Sequence, residues 1–152
     1  MITDYIDKII NGNCVDVMKQ LPDNSIDLVV TSPPYDNLRT YKGYTFPFED
    51  IVAQLYRIIK EGGVVVWVVS DATVNGSETC TSFRQVLTFV AKGFKLHDTM
   101  IFQKTNPVPQ IYRKRYTNVF EYMFVFSKGN VATHNPIKVP CLHAGLELKG
   151  TT

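Results

Sequence analysis

With 152 residues the chain has room for one domain with a real core and too little for two. Hydrophobic residues make up 45% and charged residues 20%, and no apolar run approaches the roughly 20 residues of a membrane span, so a disordered chain and a membrane-spanning helix are both excluded. The net charge of +2 hides an asymmetry, because from Gln103 onward seven Lys and Arg stand against two acids, which makes the C-terminal third the expected face for a polyanion.

Cys14, Cys80 and Cys141 are odd in number and far apart, and His97, His134 and His143 are scattered, so no disulfide framework and no metal site is expected. The first residues, MITDYIDKII, lack a basic segment before an apolar core, which leaves a cytoplasmic location as the default.

Asp4 to Ile10 reads as a short strand leading to the turn Asn11-Gly12. A short helix is expected over Cys14 to Leu21, ended by Pro22. Ile26 to Thr31 then forms a strand whose lack of alternation predicts burial on both faces, as in a parallel sheet.

That strand empties into Ser32-Pro33-Pro34-Tyr35. Proline has no N–H to donate and a fixed φ, so the pair ends the sheet ladder and holds the backbone extended, with its carbonyl oxygens available as acceptors. The Ser32 hydroxyl and the Tyr35 ring complete a clamp for a planar group carrying an amino function. A nucleobase fits, since its N–H bonds need acceptors and its ring a stacking partner, worth roughly 1–3 kcal/mol per base.

Leu38 to Phe46 interleaves Arg39, Tyr41, Lys42, Gly43 and Tyr44. It suits either a loop that closes over a flipped base and touches phosphate or a solvated loop with packed tyrosines. Phe48 to Lys60 has helical periodicity with acids in the first turn and bases in the last, and Gly62 is the expected stop. Val64 to Val69 is a second buried parallel strand, ending at Ser70 and Asp71.

Asp71 either contacts a ligand or caps the loop and the next helix, capping being the preferred role. That helix runs from Ser82 to Lys92 and stops at Gly93. Phe94 to Gln103 and Asn118 to Ser127 pair as an antiparallel hairpin at the sheet edge. Their connection carries Arg113, Lys114 and Arg115 between Tyr112 and Tyr116, a mixture suited to phosphate contact and stacking, although a solvated charged loop has the same composition. After Gly129 no periodicity is evident, so residues 1–129 are expected to form the working unit and 130–152 an extended tail or the start of a linker or target-recognition region.

TSPPY resembles the catalytic motif of the DNA amino-methyltransferases, in which Asp, Asn or Ser precedes Pro-Pro and an aromatic residue. Asn11 to Pro34, GFKLHDTMIFQKTNPVP and RYTNVFEYMFVFSKG resemble further motifs of that family in their expected order. The resemblance implies a partial, Rossmann-like S-adenosylmethionine-dependent methyltransferase fold of the α/β class, with parallel strands, helices and an antiparallel edge hairpin. It implies transfer of a methyl group from S-adenosylmethionine to the exocyclic amino group of a base flipped out of double-stranded DNA.

On that likeness Ser32, Pro33, Pro34 and Tyr35 are the catalytic residues, and Asn13, Cys14, Thr31 and Asp71 contact the cofactor. Arg39, Tyr41, Lys42, Arg113, Lys114 and Arg115 contact DNA. Serine in the first motif position favours cytosine N4 over adenine N6, with a non-catalytic nucleic-acid-binding remnant as the other reading. Asn13 stands where the family has an acid. The chain contains no G-x-G turn, which a cofactor-binding strand of this fold needs for close backbone approach, so the resemblance covers the catalytic half alone. The other half is expected either in a missing C-terminal portion or in a partner subunit.

Overall fold

A computed structural model of the chain describes residues 2–34, 46–109 and 114–138. In chain order the elements are helix α1 (Cys14–Gln20), strand β1 (Ile26–Thr31), α2 (Phe48–Ile58), β2 (Ile59–Val69), the short strands β3 (Thr73–Val74) and β4 (Ser77–Glu78), α3 (Thr81–Lys92), β5 (Lys95–Gln103) and β6 (Phe120–Ser127). The main sheet has the order β1-β2-β6-β5. β1 runs parallel to β2, while β2–β6 and β6–β5 are antiparallel, so the expected α/β sheet with an antiparallel edge hairpin is present.

Helix starts follow from local chemistry. Asn13 caps α1 through its side-chain oxygen, which accepts from the N–H of Val15 at 2.9 Å and of Asp16 at 3.4 Å. Arg57 ties the end of α2 to the end of α1, donating to the carbonyls of Met18 at 2.6 Å and Leu21 at 2.8 Å. Gly93 takes φ +115 at the end of α3, and its N–H returns to Val90 O, the left-handed stop that glycine allows.

Residues paired across a sheet share a face, so the register sorts the core. Val65 faces Phe126 and Trp67 faces Phe124, and all four are buried on the side covered by α2 and α3. There Phe89 of α3 stacks on Phe126 with ring centroids 4.2 Å apart and meets Trp67 edge-on at 5.1 Å. Ile51, Val52 and Leu55 complete the layer from α2.

The opposite face is different. Leu28 pairs with Val64, Val30 with Val66, and Val66 with Val125, yet Leu28 is 57% and Val30 66% exposed. The expected burial of β1 on both faces is therefore not found, because β1 is an edge strand and no described helix lies over that face. Two further expectations fail locally. Asp4 to Ile10 holds a 3-10 turn at Ile2–Tyr5 and no strand. Gly62 does not stop α2, which ends four residues earlier; it takes φ +79 inside β2, where a Cβ would stand 2.6 Å from that of Ala132. The extra residues there make an irregularity between the Ile26–Ile59 and Leu28–Val64 pairs.

Phe89→Ala removes the ring on which both layers converge and is expected to lower stability by about 3–5 kcal/mol, read as a reduced urea midpoint with an unchanged slope.

Candidate active site at the carboxyl end of the parallel strands

The parallel pair sets where the chemistry lies. Ligands of open α/β sheets sit beyond the carboxyl ends of the strands, and Thr31, the last residue of β1, pairs with Trp67 two residues before the end of β2. Ser32 and Ser70 therefore leave the sheet at the same end. Beyond Thr31 the ladder stops as the two prolines require. Pro33 is buried and Pro34 half-buried, whereas Ser32 is exposed, so the motif is anchored by its rings and presents its hydroxyl residue outward.

Asp71 follows directly after Ser70, and its carboxylate works as a cap. One oxygen accepts the Ser82 N–H at 2.9 Å and the Thr79 hydroxyl at 3.3 Å, and the other accepts the Ser82 hydroxyl. A cap from eleven residues away is needed because Cys80, the residue before α3, is left-handed and makes no side-chain cap. Ser82 is fully buried at this joint. Asn13 likewise commits its side-chain oxygen to the start of α1, and Cys14 beside it is an exposed free thiol.

On the far side of the rim, Asn118 donates to the Ser70 hydroxyl at 3.4 Å, and Lys104 pairs with Glu121 at 3.1 Å. This link between the end of β2 and the start of β6 has no local signal in the sequence, since Ser70 and Asn118 are 48 residues apart and meet only through strand pairing. Arg115 donates to Gly76 O at 2.8 Å and to Glu78 at 3.1 Å, which fastens the β3–β4 hairpin against the basic segment. Lys114 is exposed, in a left-handed conformation. Tyr35, Arg39, Tyr41, Lys42 and Arg113 lie outside the described residues.

A cavity of about 400 Å³ opens among Asp27, Lys60, Gly63, Ala132 and Thr133. It lies at the amino end of β1, where Lys60 bridges to Asp27, and so at the wrong end of the strand to serve Ser32. The rim at the carboxyl end is the better candidate on strand polarity.

Comparison with known proteins gives this arrangement a family. The model of the DNA methylases that modify N6 or N4 amino groups matches residues 26–144, most of the chain. The chain belongs to this DNA methylase family. Among curated relatives, the orphan methyltransferase M.BamHII of Bacillus amyloliquefaciens is 57% identical over 118 residues, which are 77% of this chain and 44% of that protein. The type II methyltransferase M.BglII of Bacillus subtilis is 39% identical over 70 residues, 41% of this chain and 19% of that protein. The chain thus spans less than half the length of these relatives.

The fold agrees. A solved cytosine-N4-specific PvuII DNA methyltransferase superposes with a TM-score of 0.65 at 20% identity, over 79% of this chain and 48% of that one. The M1.HpyAVI–SAM complex gives 0.58 at 21%, over 90% and 61%.

Two of the side chains expected at the cofactor are taken up by the fold itself. Asn13 and Asp71 hold helix starts, the sequence has no G-x-G turn, and among the described residues β1 has no neighbour on its outer edge. The fit of the described residues to a complete cofactor site is therefore poor. Asp71→Ala is expected to cost about 1–2 kcal/mol through loss of the α3 cap, measured as an earlier thermal transition with the start of α3 losing amide-exchange protection.

Proposed function

We propose that this chain is the catalytic half of a DNA amino-methyltransferase, presenting the exocyclic amino group of a flipped base, cytosine N4 in preference to adenine N6, to the methyl group of S-adenosylmethionine. The observation that carries it is the S-P-P segment at the carboxyl end of β1, with Pro33 packed inside and Ser32 outward, in a chain of the DNA methylase family.

An exocyclic amino nitrogen is a weak nucleophile because its lone pair is delocalised into the ring. Acceptors aimed at its two hydrogens draw that pair back onto nitrogen and cost no reorganisation if they are already in place. In this reading the Ser32 hydroxyl and the Pro33 carbonyl are the acceptors, Pro34 keeps them rigid, and the Tyr35 ring stacks on the base. S-adenosylmethionine supplies the electrophilic methyl group.

Serine carries no charge, unlike aspartate in the same motif position, which suits the cytosine amino group. Thr31 and Cys14 belong to the cofactor side of the crevice. Asn13 and Asp71 serve it by fixing the starts of α1 and α3.

Arg39, Tyr41, Lys42, Arg113 and Lys114 are assigned to the phosphate backbone and the displaced base, with Arg115 holding the basic segment against the hairpin. The substrate is double-stranded DNA. Residues 1–129 form the catalytic half, and 130–152 lead away from it. The cofactor's glycine-rich wall comes from the remainder of the enzyme, so the isolated chain is expected to turn over weakly or not at all.

The test is methyl transfer from labelled S-adenosylmethionine to unmethylated genomic DNA, by the chain with and without a cofactor-binding half, followed by nucleoside mass spectrometry. Labelled N4-methylcytosine in the mixture is the expected product. N6-methyladenine would overturn the serine argument alone, and DNA binding without any product would favour a non-catalytic remnant. Ser32→Ala is expected to lower kcat about 10²-fold with little change in KM for DNA, the scale on which one preorganised polar contact acts in a transition state.

A further inference from the structure

The short hairpin of β3 and β4 is held firmly yet buries nothing. Residues 73–78 are all exposed, and a Cβ placed on Gly76 meets no atom within 4 Å among the described residues. A two-stranded hairpin is marginal in water by itself, and this one is fastened at both ends. At its base the Thr79 N–H donates to Ala72 O at 2.9 Å and the Thr79 hydroxyl to Asp71 at 3.3 Å. Farther out, Arg115 donates to Gly76 O at 2.8 Å and to Glu78 at 3.1 Å. These contacts add no core, so what they maintain is a shape.

Position and composition say what the shape is for. β2 ends at Val69, so the hairpin starts from the rim at which Ser32 leaves β1. Residues 73–78 read TVNGSE, without Lys or Arg, and the charge of their one acid, Glu78, is answered by Arg115. Arg115 also brings the basic segment alongside. Cations contact phosphate, whereas amides, hydroxyls and methyl groups such as these read base edges.

We propose that the β3–β4 hairpin enters the major groove beside the target base and that the Asn75 amide reads an adenine there. The inference rests on the DNA reading above and adds to it a residue that selects sequence. A groove about 12 Å wide admits a ribbon of two strands about 4.8 Å apart. Asn75 and Gly76 have φ 49 and 80, the type I′ turn of a two-residue hairpin, which puts the amide at the end of the ribbon. That amide has one donor for adenine N7 and one acceptor for the N6 amino group. Gly76 beside it has no side chain to hold the backbone away from the bases.

The experiment incubates the chain with a pool of random-sequence duplex DNA, recovers and sequences the bound fraction, and titrates the unselected pool by fluorescence anisotropy. The parent chain is expected to enrich an adenine at one position. Asn75→Gly and Asn75→Asp both keep the turn, because Gly-Gly and Asp-Gly suit type I′. Asn75→Gly is expected to reduce the adenine preference about tenfold, the scale of one bidentate base contact, and to leave affinity for the unselected pool nearly unchanged. In Asn75→Asp the preference is expected to move to cytosine, whose N4 amino group donates to a carboxylate. Lys114→Ala, by contrast, is expected to weaken binding to all sequences alike.

An adenine preference that Asn75→Gly leaves intact, or a bound pool without any sequence preference, would overturn the role of the hairpin and leave the functional reading standing. Absence of duplex binding by the parent chain would sink the functional reading and the proposal with it.

Discussion

Trp67 sits near the carboxyl end of β2 and ties the helical layer to the sheet. Its ring packs near Phe48 of α2 at 5.9 Å and Phe89 of α3 at 5.1 Å, and its indole N–H is held by buried Gln85 at 2.8 Å. A buried indole of this size contributes a large apolar area and needs a partner for its one donor, and α3 supplies both. The rest follows from where that contact puts β2. One neighbour, β1, carries the acceptor motif, and the other, β6, carries the antiparallel hairpin and the basic connection.

Among the described residues the core lies on one face of the sheet. Phe89, Phe126 and Phe124 are enclosed, while Leu28 and Val30 of β1 are exposed. At the end of β1 Pro33 is buried and Ser32 exposed, while Asn13 and Asp71 are turned to capping work.

The helices and most strands were legible in the sequence because their signals are local. Phe48, Ile51, Val52 and Leu55 recur at helical spacing, Gly93 ends α3 with a conformation few other residues accept, and VVVWVV has the residue types of a buried strand. The Pro-Pro end of β1 was legible for the same reason, since the missing N–H and fixed φ act wherever the residue stands. Misreadings arose where a local signal was overruled. Gly62 has the look of a helix stop, but its positive φ is spent on an irregular stretch of β2 against Ala132, 70 residues away.

By itself the sequence determined the three helices, the four strands of the main sheet, the Pro-Pro end of β1 and the absence of a G-x-G turn, because each depends on bonded geometry or on residue identity within a few positions. Only the tertiary structure decided that β1 lies at an edge, that Asp71 reaches Ser82 to cap α3, that Asn118 meets Ser70, and that Arg115 is fastened to the hairpin. These pairings join residues distant in the chain, and their free energy comes from packing that no window of sequence contains. An unalternating apolar strand reads alike whether one face or both are covered; what covers it is a property of its neighbours.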